Sequence, residues 1–202
     1  MKGTLVCFEG LDCSGKTTIV QKLLEILNFE EVKCVSFSFP NTLGPAWNVI
    51  QSYQREFIDM EPHAAHLLYS ANRWGMQEAI IKYLDSGYVV LLDRYFYSGI
   101  AYSCGYAGLD LTWACNVESG LLCPDIVFYM NTNKEIRQSR LNILNSADRF
   151  DTMKIQDKVE AVYKKLITDT WIIVNGDVKE DEICEFCCLH LTPLIQKEYI
   201  NL

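Results

Sequence analysis

Eight residues near the N-terminus restrict this chain more than any other segment: Gly10-Leu11-Asp12-Cys13-Ser14-Gly15-Lys16-Thr17. They satisfy the pattern G-x-x-x-x-G-K-[ST], directly after the apolar run Thr4–Phe8 and at the start of an amphipathic stretch over Thr17–Leu27. A strand, a glycine-rich turn and a helix in that order curl successive backbone N–H groups inward at a helix N-terminus, where negative charge is favoured. Lys16 is then placed to neutralise the β and γ phosphates of a nucleoside triphosphate, and the Thr17 hydroxyl to bind Mg²⁺. Gly10, Ser14, Gly15 and Thr18 complete the expected triphosphate cradle. Asp12 is the odd member. A carboxylate inside such a cradle repels the bound anion, so it is predicted to point away, toward a sugar hydroxyl or a cation of a second substrate.

The rest of the chain repeats the same alternation. Short apolar runs at Thr4–Phe8, Val32–Phe37, Tyr88–Leu92, Asp125–Met130 and Trp171–Val174 read as strands buried on both faces, the signature of a parallel sheet. Amphipathic helices are predicted at about Thr17–Leu27, Pro62–Ser86, Thr112–Ser119, Asn133–Ile143, Lys154–Ile167 and Glu180–Lys197. Strand–helix alternation implies right-handed crossovers and a three-layer α/β sandwich with five parallel strands. At 202 residues, with no internal repeat or linker, the chain reads as one domain over 1–202. Ligands of such sheets lie at the carboxyl ends of the strands. Gly10, Phe39-Pro40 and Asp93-Arg94 all fall at those ends, so three chemically loaded segments are expected on one rim.

A formal net charge of -8 argues against a nucleic-acid polymer as partner, because that binding leans on clustered Lys and Arg. No apolar run approaches the ~20 residues of a spanning helix, so no membrane is expected. The nine cysteines are scattered, and Met1-Lys2-Gly3 leads straight into a strand. Both point to a reducing compartment, cytoplasmic or nuclear. Cys184 and Cys187 form a CxxC followed by Cys188, read as packed, reduced thiols rather than zinc ligands.

Asp93 ends the apolar run Val89–Leu92 and reads as a second acid near Mg²⁺, with Arg94 next to it. A guanine-reading switch would need Asn-Lys-x-Asp. The nearest stretch, Asn133-Lys134-Glu135-Ile136, has Ile where Asp is required, and Asn133 is more simply a helix cap. A transferase instead needs a second nucleotide-sized pocket and cations that close over the phosphates. Arg137, Arg140 and Arg149 flank the uncharged stretch 141–147, which marks a lid at about 140–151.

At this point Phe8-Glu9-Gly10-Leu11-Asp12, Phe39-Pro40, Ser70-Ala71-Asn72-Arg73-Trp74, Asp93-Arg94-Tyr95-Phe96-Tyr97-Ser98-Gly99 and Pro124-Asp125 closely resemble the thymidylate kinase family, in order and in spacing. The resemblance implies transfer of the ATP γ-phosphate to thymidine monophosphate, dependence on Mg²⁺, a P-loop kinase fold and a homodimer. It also implies roles for residues. Tyr69 stacks on the thymine, Arg73 binds the acceptor's base edge or its phosphate, and Ser98 hydrogen-bonds the base. Tyr102 walls the sugar, Arg94 holds the acceptor phosphate, Asp12 takes the deoxyribose hydroxyl, and Phe39-Pro40 line the acceptor site. Aromatic walls suit a planar base and guanidinium forks suit a phosphate.

Two positions depart from the family pattern. Thr42 stands where an arginine commonly grips the acceptor phosphate. Cys13 stands where one branch carries an arginine in the loop, which implies the branch that draws its transferring-phosphate cation from the lid. Arg149, in Asp148-Arg149-Phe150-Asp151, is the expected catalytic cation, with Arg140 as the other candidate and as an ATP contact. A related kinase acting on another nucleotide or a deoxynucleoside, and a weakened nucleotide-binding protein, are the competing readings.

Overall fold

The computed structural model describes residues 2–44, 46–144, 149–150 and 152–196. Five strands, β1 (Leu5–Glu9), β2 (Cys34–Ser38), β3 (Val89–Asp93), β4 (Ile126–Asn131) and β5 (Trp171–Asn175), form one parallel sheet in the order β2-β3-β1-β4-β5. The helices are α1 (Lys16–Phe29), α2 (Trp47–Gln54), α3 (Pro62–Asp85), α4 (Phe96–Ala107), α5 (Leu111–Val117), α6 (Lys134–Leu144), α7 (Met153–Leu166) and α8 (Glu180–Gln196).

Two apolar layers sandwich the sheet. Along β1, Leu5 and Cys7 face a cluster with Ile80, Leu84, Val159 and Tyr163, whereas Val6 and Phe8 face Ile19, Leu23, Ile183 and Leu191. Every residue of β1 and β3 is buried, while the edge strands β2 and β5 alternate between inside and outside. The central strands therefore read as unbroken apolar runs because both their faces are covered. Cys184 and Cys187 sit in the second layer as packed, free thiols. Among the described residues, no helix is long and apolar enough to cross a membrane.

The structure moves some expected boundaries. Val32 is not in the second strand, because its N–H bonds to the Leu27 carbonyl at 2.9 Å and closes α1. Asp125 precedes β4 and locks it to β1, its backbone N–H donating to Leu5 O (2.8 Å) and its carboxylate accepting from Leu5 N–H (2.7 Å). Two helices, α2 and α4, were not expected. The reason at α4 lies in its glycines. A Cβ at Gly105 would come within 2.8 Å of the Val159 backbone, so this glycine lets α4 and α7 pack backbone to backbone at a cost in helix propensity. Of the lid expected over about 140–151, residues 145–148 and 151 lie outside those described.

The chain leaves β1 toward one edge of the sheet, to β2, and leaves the adjacent β3 toward the other, to β4. That switch point opens a crevice at the carboxyl end of β1, where such folds bind ligands.

Candidate active site

The loop after β1 starts with Gly10 at φ 141, and a Cβ there would sit 2.8 Å from the Met130 carbonyl. It ends with Gly15 at φ 97, the left-handed N-cap of α1. No side chain caps that helix, so its first turn stays open to an anion. Lys16 is buried and folds back over the loop, its Nζ donating to Leu11 O (2.6 Å) and Ser14 Oγ (3.2 Å). Burial pushes the Lys16 ammonium down to about 8, and the nearby Arg94 charge adds to this against the pull of Asp12, Asp93 and Glu9.

An anion seated against Lys16 favours its charged form, so the ammonium titrates higher in the complex than in the free protein. Affinity for a nucleoside triphosphate is thus expected to be level between pH 7 and 8. Above that it should weaken by up to ~10-fold per pH unit, until the pKa of the complex is passed. Isothermal titration from pH 7 to 9.5 checks this, with proton uptake on binding at pH 8.5. A flat affinity to pH 9.5 would show that Lys16 is not the group that meets the phosphates.

Beside the loop, the Thr17 hydroxyl donates to Asp93 Oδ2 at 2.5 Å, joining α1 to the end of β3. Asp93 Oδ1 is buried without a hydrogen-bond partner among the described residues. An orphaned carboxylate oxygen is costly in a protein interior. It thus marks a place for a cation or for water bound to one.

On the other side of the loop Arg94 takes up a left-handed backbone (φ 67) as β3 ends. Its Nη1 donates to Gly10 O (3.0 Å) and Ser98 Oγ (3.2 Å), and its Nη2 to the Asp12 carboxylate. Asp12 therefore turns away from the cradle toward a cation, and that cation is Arg94. Gln156 of α7 brackets Asp12 a second time, accepting from its N–H (3.0 Å) and donating to Oδ2 (2.6 Å). Beneath both, the fully buried Glu9 accepts from Tyr95 N–H (2.9 Å), Ser98 Oγ (2.6 Å) and Tyr163 OH (2.7 Å). The Ser98 hydroxyl thus gives its only hydrogen to Glu9 and can offer a ligand only the lone pair that Arg94 leaves.

These groups border a continuous cleft of about 730 Å³. Asp12, Ser14, Gly15, Lys16, Thr17, Thr18, Phe39, Pro40, Tyr69, Arg73, Arg94, Ser98, Tyr102 and Arg140 line it. Gly10 and Asp93 stand just behind, bonded to Arg94 and Thr17. Thr42 lies outside the wall, on an exposed turn. Arg73 is buried, with Nε and Nη2 on Glu118.

Arg149 does not reach the loop in this conformation, contrary to expectation. Its guanidinium donates to Tyr53 O (2.9 Å) and Ile58 O (3.1 Å), pairs with Asp59 (2.8 Å) and stacks over the Tyr53 ring. Arg140 is the cation on the loop, its Nη1 donating to Cys13 O at 3.0 Å. Asn133 behaves as a cap, its side chain accepting from Glu135 N–H at 3.1 Å. Gln156 and Glu118 are functional candidates that no motif signalled, and Glu9 stood in the Phe8–Asp12 segment without a role of its own. Each is a single polar residue whose burial only the fold discloses.

A parallel sheet with a glycine-lysine loop at its switch point, an acid at the next strand end and a long cleft defines the P-loop phosphotransferases. A family model described as thymidylate kinase matches residues 8–185. Thymidylate kinases of Dictyostelium discoideum and Plasmodium falciparum are 35% and 36% identical over 184 and 183 residues, each covering 90% of this chain and 82% and 86% of the relative. A solved thymidylate kinase from Candida albicans, described as having broad substrate specificity, superposes with a TM-score of 0.86 at 27% identity, over 95% of this chain and 92% of that one. The chain belongs to the thymidylate kinase family.

Proposed function

We propose that this protein transfers the γ-phosphate of ATP to thymidine monophosphate, with the loop as donor site and the Phe39–Tyr102 side of the cleft as acceptor site. The observation that carries this reading is the Asp12–Arg94 pair. It puts one guanidinium and one carboxylate at the junction of the two halves, where an acceptor phosphate and a sugar hydroxyl can each take one of them. Lys16 draws charge from the transferring phosphate, and Arg94 holds the acceptor phosphate in line. Together they supply positioning and electrostatic stabilisation, which is most of what phosphoryl transfer needs from a protein. Tyr69, beside Arg73, offers a flat wall to the base, and Tyr102, whose hydroxyl accepts from Gln156 (3.4 Å), walls the sugar. The decisive experiment is a coupled assay of ADP release with each nucleoside monophosphate in turn. Thymidine monophosphate should exceed the purine monophosphates at least ~10-fold in kcat/KM.

The donor set fits Mg²⁺. Thr17 Oγ1 and Asp93 are hard oxygen ligands, and Asp93 Oδ1 has no hydrogen-bond partner among the described residues. Among the described residues no three His, Cys, Asp or Glu side chains group as a metal cage. Mg²⁺ commonly needs only one or two protein oxygens besides phosphates and water. When bound it neutralises charge on the β and γ phosphates.

Arg140, which rests on the loop, is the cation we assign to the transferring phosphate, as part of a lid over about 140–151 within one domain. Arg140→Ala is expected to lower kcat ~100-fold or more with little change in KM for the acceptor. Arg149→Ala should act mainly on KM, by freeing the end of α2. Steady-state kinetics of the two variants separates these roles, and an Arg140→Ala enzyme with unchanged kcat would return the role to Arg149.

A homodimer is part of the same reading. Leu67, Trp74 and Ile81 repeat every seven residues along α3 and are 50, 42 and 37% exposed. That stripe is an apolar face suited to a second copy, and a solution mass of two chains is its check.

A further inference from the structure

Arg73 lines the cleft but is not aimed by the phosphate loop. It is aimed by Glu118, the residue that caps the C-terminus of α5. Glu118 is buried, and its two oxygens collect donors from a single face of α3. Arg73 gives Nε (3.1 Å) and Nη2, Ser70 gives its hydroxyl (3.2 Å), and His66 Nε2 lies 3.2 Å away. A buried carboxylate with this many donors is compensated rather than stranded. His66 is itself tied to Ser103 of α4 (2.8 Å), so the carboxylate joins α3, α4 and α5.

The guanidinium is held on a second side. A Cβ built on Gly99 of α4 would fall 2.6 Å from Arg73 Nη2 and 2.9 Å from both Cζ and Nη1. The guanidinium therefore presses against the glycine at a distance no side chain would allow, with its Nε–Nη2 edge taken by Glu118. Nη1 has no hydrogen-bond partner among the described residues, and Arg73 lines the cleft. What remains for a ligand is a donor edge whose charge is already matched. Such an edge suits a neutral carbonyl oxygen, whereas a phosphate dianion is better served by Arg94 and Lys16.

We propose that Glu118 is a positioning residue that, with Gly99, commits Arg73 to reading the acceptor base and so sets the preference for a keto over an amino pyrimidine. This rests on the acceptor site proposed above. A fixed donor pair welcomes the carbonyl at one base position and opposes the amino group that replaces it there. If the guanidinium can swing, that opposition is lost first. The chemical step, at the far end of the acceptor, is affected little.

The test is steady-state kinetics of Glu118→Gln with deoxyuridine and deoxycytidine monophosphates, which share sugar and phosphate and differ in the keto or amino group, and with thymidine monophosphate. The keto-to-amino ratio of kcat/KM should fall about tenfold and the KM for thymidine monophosphate rise about tenfold. The kcat should stay within about threefold and the KM for ATP should not move. Gly99→Ala, which displaces the guanidinium while leaving Glu118 in place, should shift the ratio the same way. In an Arg73→Ala background, Glu118→Gln should change it no further.

A folded Glu118→Gln enzyme with the wild-type ratio overturns the proposal. So does one whose kcat and KM for ATP deteriorate as much as its acceptor KM, since that is general damage. If Glu118→Gln does not fold, Gly99→Ala decides alone, and an unchanged ratio there is fatal. Wild-type protein that phosphorylates no pyrimidine monophosphate refutes the acceptor assignment itself, and this inference with it.

Discussion

Replacing Lys16 with alanine is expected to cut kcat/KM by ~1,000-fold or more while leaving the fold intact. Removing one preorganised cation from developing charge costs several kcal/mol of barrier, and ~4 kcal/mol corresponds to that factor. The same residue is no asset to the folded state. Its ammonium is buried and titrates at about 8, below the ordinary lysine value of 10.5. The sign follows from linkage. A lowered folded-state pKa means that at pH 7 the charged form is less favourable folded than unfolded, and the penalty fades as pH rises from 8 to 10.5. Alanine removes that penalty together with the bonds to Leu11 and Ser14, so the melting temperature should stay within about 3 °C of wild type. Activity assays and thermal melts on one preparation check both halves. A variant keeping a tenth of the activity would contradict the role given to Lys16.

Arg94→Ala should be as severe, for a different reason. Arg94 neutralises Asp12, spans Gly10 and Ser98, and faces the acceptor half of the cleft. Without it Asp12 keeps Gln156 but loses its counter-charge, so the acceptor phosphate meets a bare carboxylate where it needs a fork. Lost attraction and gained repulsion together should lower kcat/KM for thymidine monophosphate ~1,000-fold or more. Arg94→Lys restores charge without bidentate geometry and should recover only part of the loss. Pairing Arg94→Ala with Asp12→Asn should recover acceptor KM relative to Arg94→Ala alone, because the repulsive half is gone. Steady-state kinetics of the three variants separates the terms. An active Arg94→Ala enzyme would mean that the acceptor phosphate binds elsewhere.

How much of this was legible in the sequence depended on where the determinants lie. β1, the loop and α1 are encoded locally, by an unbroken apolar run, two glycines with positive φ and an amphipathic period. Asp93 was legible for the same reason, as the polar stop of a fully buried strand. Helix α4 was not, because Gly99 and Gly105 lower its helix propensity and serve contacts with Arg73 and α7 that only the tertiary structure contains. The resting place of Arg149 was hidden likewise. It turns on the carbonyls of Tyr53, in α2, and of Ile58 just beyond it, and α2 is a helix with no readable signal. Gln156 lacks any motif of its own, and Glu9 sat in the Phe8–Asp12 segment with no role assigned to it. Their importance comes from burial next to Arg94 and Asp12, and burial of a lone polar residue leaves no periodicity to detect.

The departure at Thr42 fits this geometry. The turn that carries it is tied down through Asn41, whose N–H donates to Asn72 Oδ1 (2.6 Å) and whose carbonyl accepts from Asn72 Nδ2 (2.9 Å), while Thr42 itself points to solvent. On the proposed reading the acceptor phosphate is left to Arg94, which is why so much is expected of that one residue.

The central claim is that one cleft moves a phosphoryl group from ATP to thymidine monophosphate. It is tested most directly by following the label from [γ-³²P]ATP in the presence of Mg²⁺ and thymidine monophosphate. The wild-type protein should place the label in the β-phosphate of thymidine diphosphate, and Lys16→Ala and Arg94→Ala should each place almost none there. Label released as inorganic phosphate, or delivered to a purine monophosphate in preference to thymidine monophosphate, would contradict the account.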